Sequence, residues 1–213
     1  MHQTCNPAIL YFGTPVVLIS STNEDGTINI APMSSIFWLG WRCIIGMSRS
    51  SKTVENLIRE KECVLNLPSV NEVNAVDKLA LTTGTKNVPL GKQEKGYNYV
   101  PNKFEIAGLT PMDSEVVSPP GILECPVFLE AIVKEIHPIG KDNEKMRGRI
   151  VNIELEIVNV RVDTEILKEG QSNQIDPDKW KPLIMSFQHF YGLGDQVHPS
   201  RLADIPERLY KMS

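Results

Sequence analysis

Cysteine, histidine and basic charge are all scarce in this sequence, and each scarcity removes a class of function. The four cysteines of the 213-residue chain, Cys5, Cys43, Cys63 and Cys125, are scattered and form no Cys-x-x-Cys pair. That spacing argues against a disulfide framework or a dithiol redox centre. The four histidines are equally dispersed, so no metal-ligand spacing is present and no metal is expected. Lysine and arginine number 22 against 26 acidic residues, a net charge of −4, which is the wrong sign for a nucleic-acid binder. No apolar run approaches a membrane span. The opening "MHQTCNPAILYFGTPVV" lacks the basic and apolar regions of a signal peptide, which points to a cytoplasmic protein. What remains is ordinary for a soluble globular chain: 41% hydrophobic and 23% charged residues, enough to bury one real core.

The hydrophobic pattern is mostly that of strands. "PVVLISST" and "TINIAPM" flank Asn23-Glu24-Asp25-Gly26, and Asp-Gly between apolar runs predicts a hairpin. "RCIIGMS" reads as a third strand and "CVLNLP" as another. Between them Val54, Leu57 and Ile58 recur at helical spacing, which predicts a short helix over 52–61. Ser69 followed by Glu72 is a capping box, predicting a second helix from 70 to about 81. "CPVFLEAIVKEIHPI" and "RIVNIELEIVNVRVD" are long strands. In the latter Val151, Ile153, Leu155 and Ile157 share a face, and Val158, Val160 and Val162 carry the apolar phase onward. A phase break inside a strand predicts a bulge, the device that bends a sheet around a barrel corner. Three polar stretches, "GTKNVPLGKQEKG", "GKDNEKMRG" and "KEGQSNQIDPDK", read as loops. The chain is therefore expected to be mainly β, a small antiparallel barrel with a few helices.

One polar segment resists a purely structural reading. Gly46-Met47-Ser48-Arg49-Ser50-Ser51-Lys52-Thr53 is one residue from a Walker loop, with Ser51 where the second glycine belongs. The hairpin and long strands exclude the parallel sheet such a loop requires, so the nucleotide-triphosphate reading fails. Serines before a helix are good N-caps and need no ligand. Yet Arg49 and Lys52 place cations at a helix N-terminus, where the dipole already favours an anion. Free amides, hydroxyls and cations together make a phosphate receptor.

Taken in order, "PVVLISSTNEDGTINIAPMSS", "IIGMSRSSKTVENLIREKECVLNLPS", "NKFEIAGLTP", "ILECPVFLEAIV" and "RIVNIELEIVNVRVD" resemble the flavin reductase-like family of FMN-binding split barrels. This family includes flavoredoxins and the reductase component of nitrilotriacetate-type monooxygenases. The resemblance covers about residues 10 to 165. It implies a six-stranded antiparallel split barrel, one domain over 1–213 with a C-terminal extension from about 166, and a homodimer with FMN at the subunit interface. It also implies that Ser48, Arg49, Ser51, Lys52 and Thr53 bind the FMN phosphate. Asn29, Ala31, Pro32, Met33 and Ser34 would line the ring, Asn56 and Asn66 would sit nearby, and Lys103 and Phe104 would approach from the partner subunit. Plainer readings stand beside these. Asn29 can end a strand, Ser34 can cap a turn, Phe104 can be core, and Trp38 and Trp41 can serve core or dimer surface.

The resemblance implies an NAD(P)H-dependent flavin reductase, in one version serving a monooxygenase. The flavin would perform the redox chemistry, so no catalytic side chain is expected. No dinucleotide-binding glycine motif is present, so NADH or NADPH would bind transiently against the flavin. A flavoredoxin-type electron carrier is the alternative. His189, Tyr191 and His198 lie in a tail where the resemblance fades, and that tail would either cover the flavin or complete the dimer.

Overall fold

The structure, a computed structural model, describes residues 1–210. In chain order it contains β1 (Phe12–Pro15), β2 (Val17–Thr22), β3 (Ile28–Met33), β4 (Ile36–Leu39), β5 (Arg42–Ser48), α1 (Lys52–Glu60), β6 (Glu62–Leu67) and α2 (Val73–Ala80). Then come β7 (Thr82–Thr83), α3 (Leu90–Gln93), β8 (Asn98–Tyr99), α4 (Lys103–Ala107), β9 (Pro111–Met112) and β10 (Gly121–Ile122). The long strands β11 (Val127–Pro138) and β12 (Ile150–Val162) follow, and β13 (Ile184–Ser186) and β14 (His189–Tyr191) end the sheet-forming part.

The principal sheet is antiparallel and seven-stranded, in the order β3-β2-β6-β11-β12-β5-β4. That is one strand more than the six implied by the resemblance. Its two edge strands, β3 and β4, are consecutive in the chain and separated only by Ser34 and Ser35. Laid flat, seven strands would put those edges about 29 Å apart, whereas two linking residues reach only about 10 Å. The sheet must therefore curl until its edges approach. No ladder joins β3 to β4 among the described residues, so the barrel is split there.

The barrel interior is filled by alternate residues: Val17 and Ile19 from β2, Cys43 and Ile45 from β5, Leu65 from β6, Leu129 and Ala131 from β11, and Ile153 and Leu155 from β12. Val54 and Leu57 of α1 join the same cluster, as their spacing predicts. On the outer side Val16, Leu18 and Ile30 pack under Val76 and Leu79 of α2 and Ala107 of α4. The Ser69–Glu72 capping box is formed, and the helix it opens is a 3₁₀ turn over Val70–Glu72 that runs into α2.

The bulge falls where the phase breaks. Glu130 pairs with Asn159 and Ala131 with Ile157, leaving Val158 as the extra residue. Val158 itself turns outward against the Phe128 cluster, and beyond the bulge Val162 packs against the barrel core while Val160 is exposed. Glu130 lies beside this point, fully buried. Its carboxylate accepts the amide protons of Glu115, Val116 and Val117 and the side-chain amide of Asn159.

Candidate functional site

The start of α1 is built as a capped helix. Ser51 is the N-cap, and its hydroxyl accepts the Val54 N–H at 3.2 Å while its carbonyl accepts the Glu55 N–H at 3.1 Å. The amides of Lys52 and Thr53 are left as first-turn donors without an intrahelical acceptor. Lys52 is not a bare cation, because its Nζ donates to Glu55 at 2.7 Å. Part of the charge strain expected at this helix start is thus relieved inside the chain. Arg49 is exposed and lies with Ser48, Ser50 and Arg149 around a separate surface pocket of about 390 Å³.

Beside α1 is a cavity of about 250 Å³. It brings together Asn29, Ala31, Pro32 and Met33 of β3, Ser48 of β5, and Ser51, Lys52 and Thr53 at α1. Asn29 is buried and donates from Nδ2 to Thr53 Oγ1 at 3.1 Å, tying the strand to the helix start. Its Oδ1 is enclosed yet has no hydrogen-bond partner among the described residues. Gly84 closes over this pair: a Cβ there would lie 2.6 Å from Asn29 Oδ1 and 2.9 Å from Lys52 Cγ. An adjoining apolar cavity of about 240 Å³ is lined by Pro32, Met33 and Ser34, with Tyr11, Val76, Met185 and Phe190.

Lys103 reaches the cavity beside α1 from α4 of the same chain. The side chain runs inward from α4, only 2% exposed, and Nζ donates to the Ile30 carbonyl at 2.7 Å. Burial, with the Lys92 charge as the smaller contribution, lowers its ammonium to about 7. Lys92 is lowered as well, by its own burial.

Besides Arg49, three expected residues are placed elsewhere. Asn56 is buried and fully engaged, donating to Ser21 and Asn23 and accepting from Arg59, so it ties α1 to the β2–β3 turn. Asn66 bridges strands, donating to the Leu18 carbonyl and Ser20 Oγ and accepting from the Ile122 N–H. Phe104 packs in the outer core with Leu18 and Leu79, following its plainer reading.

Other lining residues escaped the sequence reading. Gly84 and Lys92 come from the stretch read as a plain polar loop, which holds the one-turn helix α3, and Tyr97 follows it directly. A parallel pairing of β7 with β8 folds that stretch back over the cavity. Parallel two-residue pairing leaves no periodic signal. Met185 and Phe190 come from the β13–β14 hairpin, which pairs with β1.

Comparison with known proteins gives this geometry its context. Residues 9–194 match the profile of the flavin reductase like domain. The uncharacterized protein YdfE of Bacillus subtilis is 39% identical over 191 residues, spanning 90% of this chain and 89% of that one. Flavoredoxin of Desulfovibrio vulgaris (Miyazaki F) superposes with a TM-score of 0.75 at 20% identity, covering 96% of this chain and 100% of that chain. Nitrilotriacetate monooxygenase component B from Bacillus cereus gives 0.73 at 21% identity, covering 93% of this chain and 99% of that chain. At these identities the two structures establish a shared split-barrel fold.

Proposed function

Because the chain belongs to the flavin reductase like domain family, we propose that it binds FMN in this pair of cavities and reduces it with NADH or NADPH. The observation that carries the reading is the composition of the cavity beside α1. Lys52, Lys92 and Lys103 line it and, among the described residues, no carboxylate does, an arrangement that suits a phosphate ester. The unpartnered Asn29 Oδ1 offers an acceptor to a ligand N–H or hydroxyl. Gly84 leaves room where any side chain would collide. The residues present therefore fit a phosphorylated, flat, hydrogen-bonding cofactor.

Each group then has a physical role. The Lys52 and Thr53 amides and the α1 dipole hold the phosphate. Asn29 fixes the orientation of the polar edge, and Pro32, Met33, Val76 and Phe190 shield an apolar ring from water. The flavin, when bound, supplies the hydride and electron-transfer chemistry. No acidic or nucleophilic side chain is needed for it. The protein works as a homodimer, and the acceptor is a second protein such as a monooxygenase.

The test is optical. Apo-protein loaded with FMN should lose its yellow absorbance within the mixing time of a stoichiometric addition of NADH or NADPH. If neither nicotinamide bleaches the flavin but a protein donor does, the reductase reading falls and the electron-carrier alternative replaces it.

A further inference from the structure

We propose that the cavity takes up its anionic ligand together with a proton, and that the proton is held at Lys103 Nζ. This rests on the cavity being the phosphate-accepting site, and it adds a coupling that the family assignment does not contain.

An ammonium offers three donors, and Lys103 spends one on the Ile30 carbonyl while being 2% exposed. Water cannot satisfy the others freely, and stripping an ion of water is costly unless a counter-charge replaces it. None is at hand. Among the described residues, the other titratable or charged groups lining the cavity are Lys52, Lys92, Tyr11 and Tyr97, and no carboxylate is among them. On its own helix Glu105 is exposed and accepts from the Asn102 side chain. On α2, packed against α4, Asp77 is exposed. Glu24 and Asp25 line a neighbouring cavity of about 480 Å³ that also borders Asn29, Lys52 and Gly84, and Asp25 accepts from Thr27. Lys92 stands over the Tyr97 ring, 5.6 Å from its centroid, and adds repulsion rather than relief.

The amine is therefore held near its titration point at neutral pH, a consequence of burial first and Lys92 second. A ligand oxyanion removes the cause by supplying the missing counter-charge. Binding above neutrality then draws one proton from the buffer onto Nζ. By linkage, affinity for the anion must fall as pH rises past the free-state value. Lys52 cannot play this part, since Glu55 already neutralises it.

The experiment is isothermal titration of apo-protein at about pH 8 with FMN, riboflavin and inorganic phosphate, each in two buffers of different ionisation enthalpy. At that pH a phosphate monoester is already a dianion, its second pKa being about 6, so proton uptake belongs to the protein. FMN and phosphate should each take up close to one proton, and riboflavin none. FMN should bind about tenfold more weakly at pH 8.5 than at pH 7. Lys103→Met should abolish uptake, whereas Lys52→Met should keep it. Lys92→Met, at a half-exposed position, should move its onset to higher pH. FMN binding without uptake, or uptake that survives in Lys103→Met, overturns the proposal and leaves the flavin reading intact. Phosphate binding with Lys103-dependent uptake but no FMN binding supports the coupling and removes the flavin. Failure of both anions to bind overturns both.

Discussion

At the scale of single residues, the cavity is defined by groups that burial has altered. Lys103 makes this measurable in the unliganded protein. Its ammonium is lowered to about 7 in the folded chain, against an ordinary lysine value of about 10.4 when unfolded. Below about 7 both states are charged, and the folded state bears the full cost of the buried charge. As pH rises from 7 towards 10 the folded amine is neutral while the unfolded one still holds its proton, so folding gains stability. The wild type should therefore gain on Lys103→Met over that window in urea midpoints, and equal pH slopes would contradict it. Gly84→Ala tests the same cavity by shape. Its Cβ would sit 2.6 Å from Asn29 Oδ1, so FMN affinity should fall at least about tenfold, or roughly 1.4 kcal/mol. The thermal midpoint should move by only a few degrees, as expected for about 1 kcal/mol of strain. Calorimetry of each variant with FMN reads both. The thiols follow the same logic of burial. Cys43 is pushed up to about 12 by burial, and Cys63 and Cys125 are also raised, while Cys5 is exposed. A thiol reagent on the native protein should label Cys5 alone, checked by intact mass.

Among the elements, the bulge in β12 and the residue beside it matter most. Glu130 holds three consecutive amides of the segment Glu115–Val117. Burial works to raise its carboxyl, but those bonds and the one from Asn159 outweigh it and leave the group below the usual carboxylate range. A depressed carboxylate stabilises the fold above its unfolded value and loses that contribution as pH falls through the folded one. Glu130→Gln replaces one accepting oxygen with a donor that faces other donors. It should cost about 2–3 kcal/mol at pH 7 in chemical denaturation. Because protonation removes the same contribution from the wild type, the difference should shrink in acid. A constant difference from pH 7 to pH 3 would show that Glu130 acts through shape alone.

For the whole molecule, the open question is what meets the exposed apolar side chains. Ile36, Cys43 and Ile45 face the core, while Phe37, Leu39 and Trp41 are 52%, 69% and 61% exposed around the β4 edge. Beyond the family match, which ends at residue 194, Val197, Leu202, Leu209 and Tyr210 are exposed as well. A monomer rarely leaves so much apolar surface uncovered. We propose that a second copy covers the β4 edge. Light scattering at micromolar concentration should return the mass of two chains, and Trp41→Lys should shift it towards one. A wild-type monomer that binds FMN stoichiometrically would refute a shared site.

The elements and the barrel class were legible in the sequence because they depend on local chemistry. Asp25-Gly26 turns a hairpin, Ser69 and Glu72 cap a helix start, and the broken alternation after Ile157 marks a bulge, all within a few residues of chain. Of the cavity, the polar start of α1 stands out by its local chemistry, whereas the β3 residues were implied by the family resemblance alone. What the sequence did not disclose depends on long-range closure. A two-residue link between β3 and β4 curls the sheet, and a short parallel pairing carries Lys92 and Tyr97 across to Asn29. The loss of water around Lys103 follows from that closure alone. Its charge is printed in the sequence, but a lysine becomes a titrating group at neutral pH only when folding removes its solvent and supplies no counter-ion.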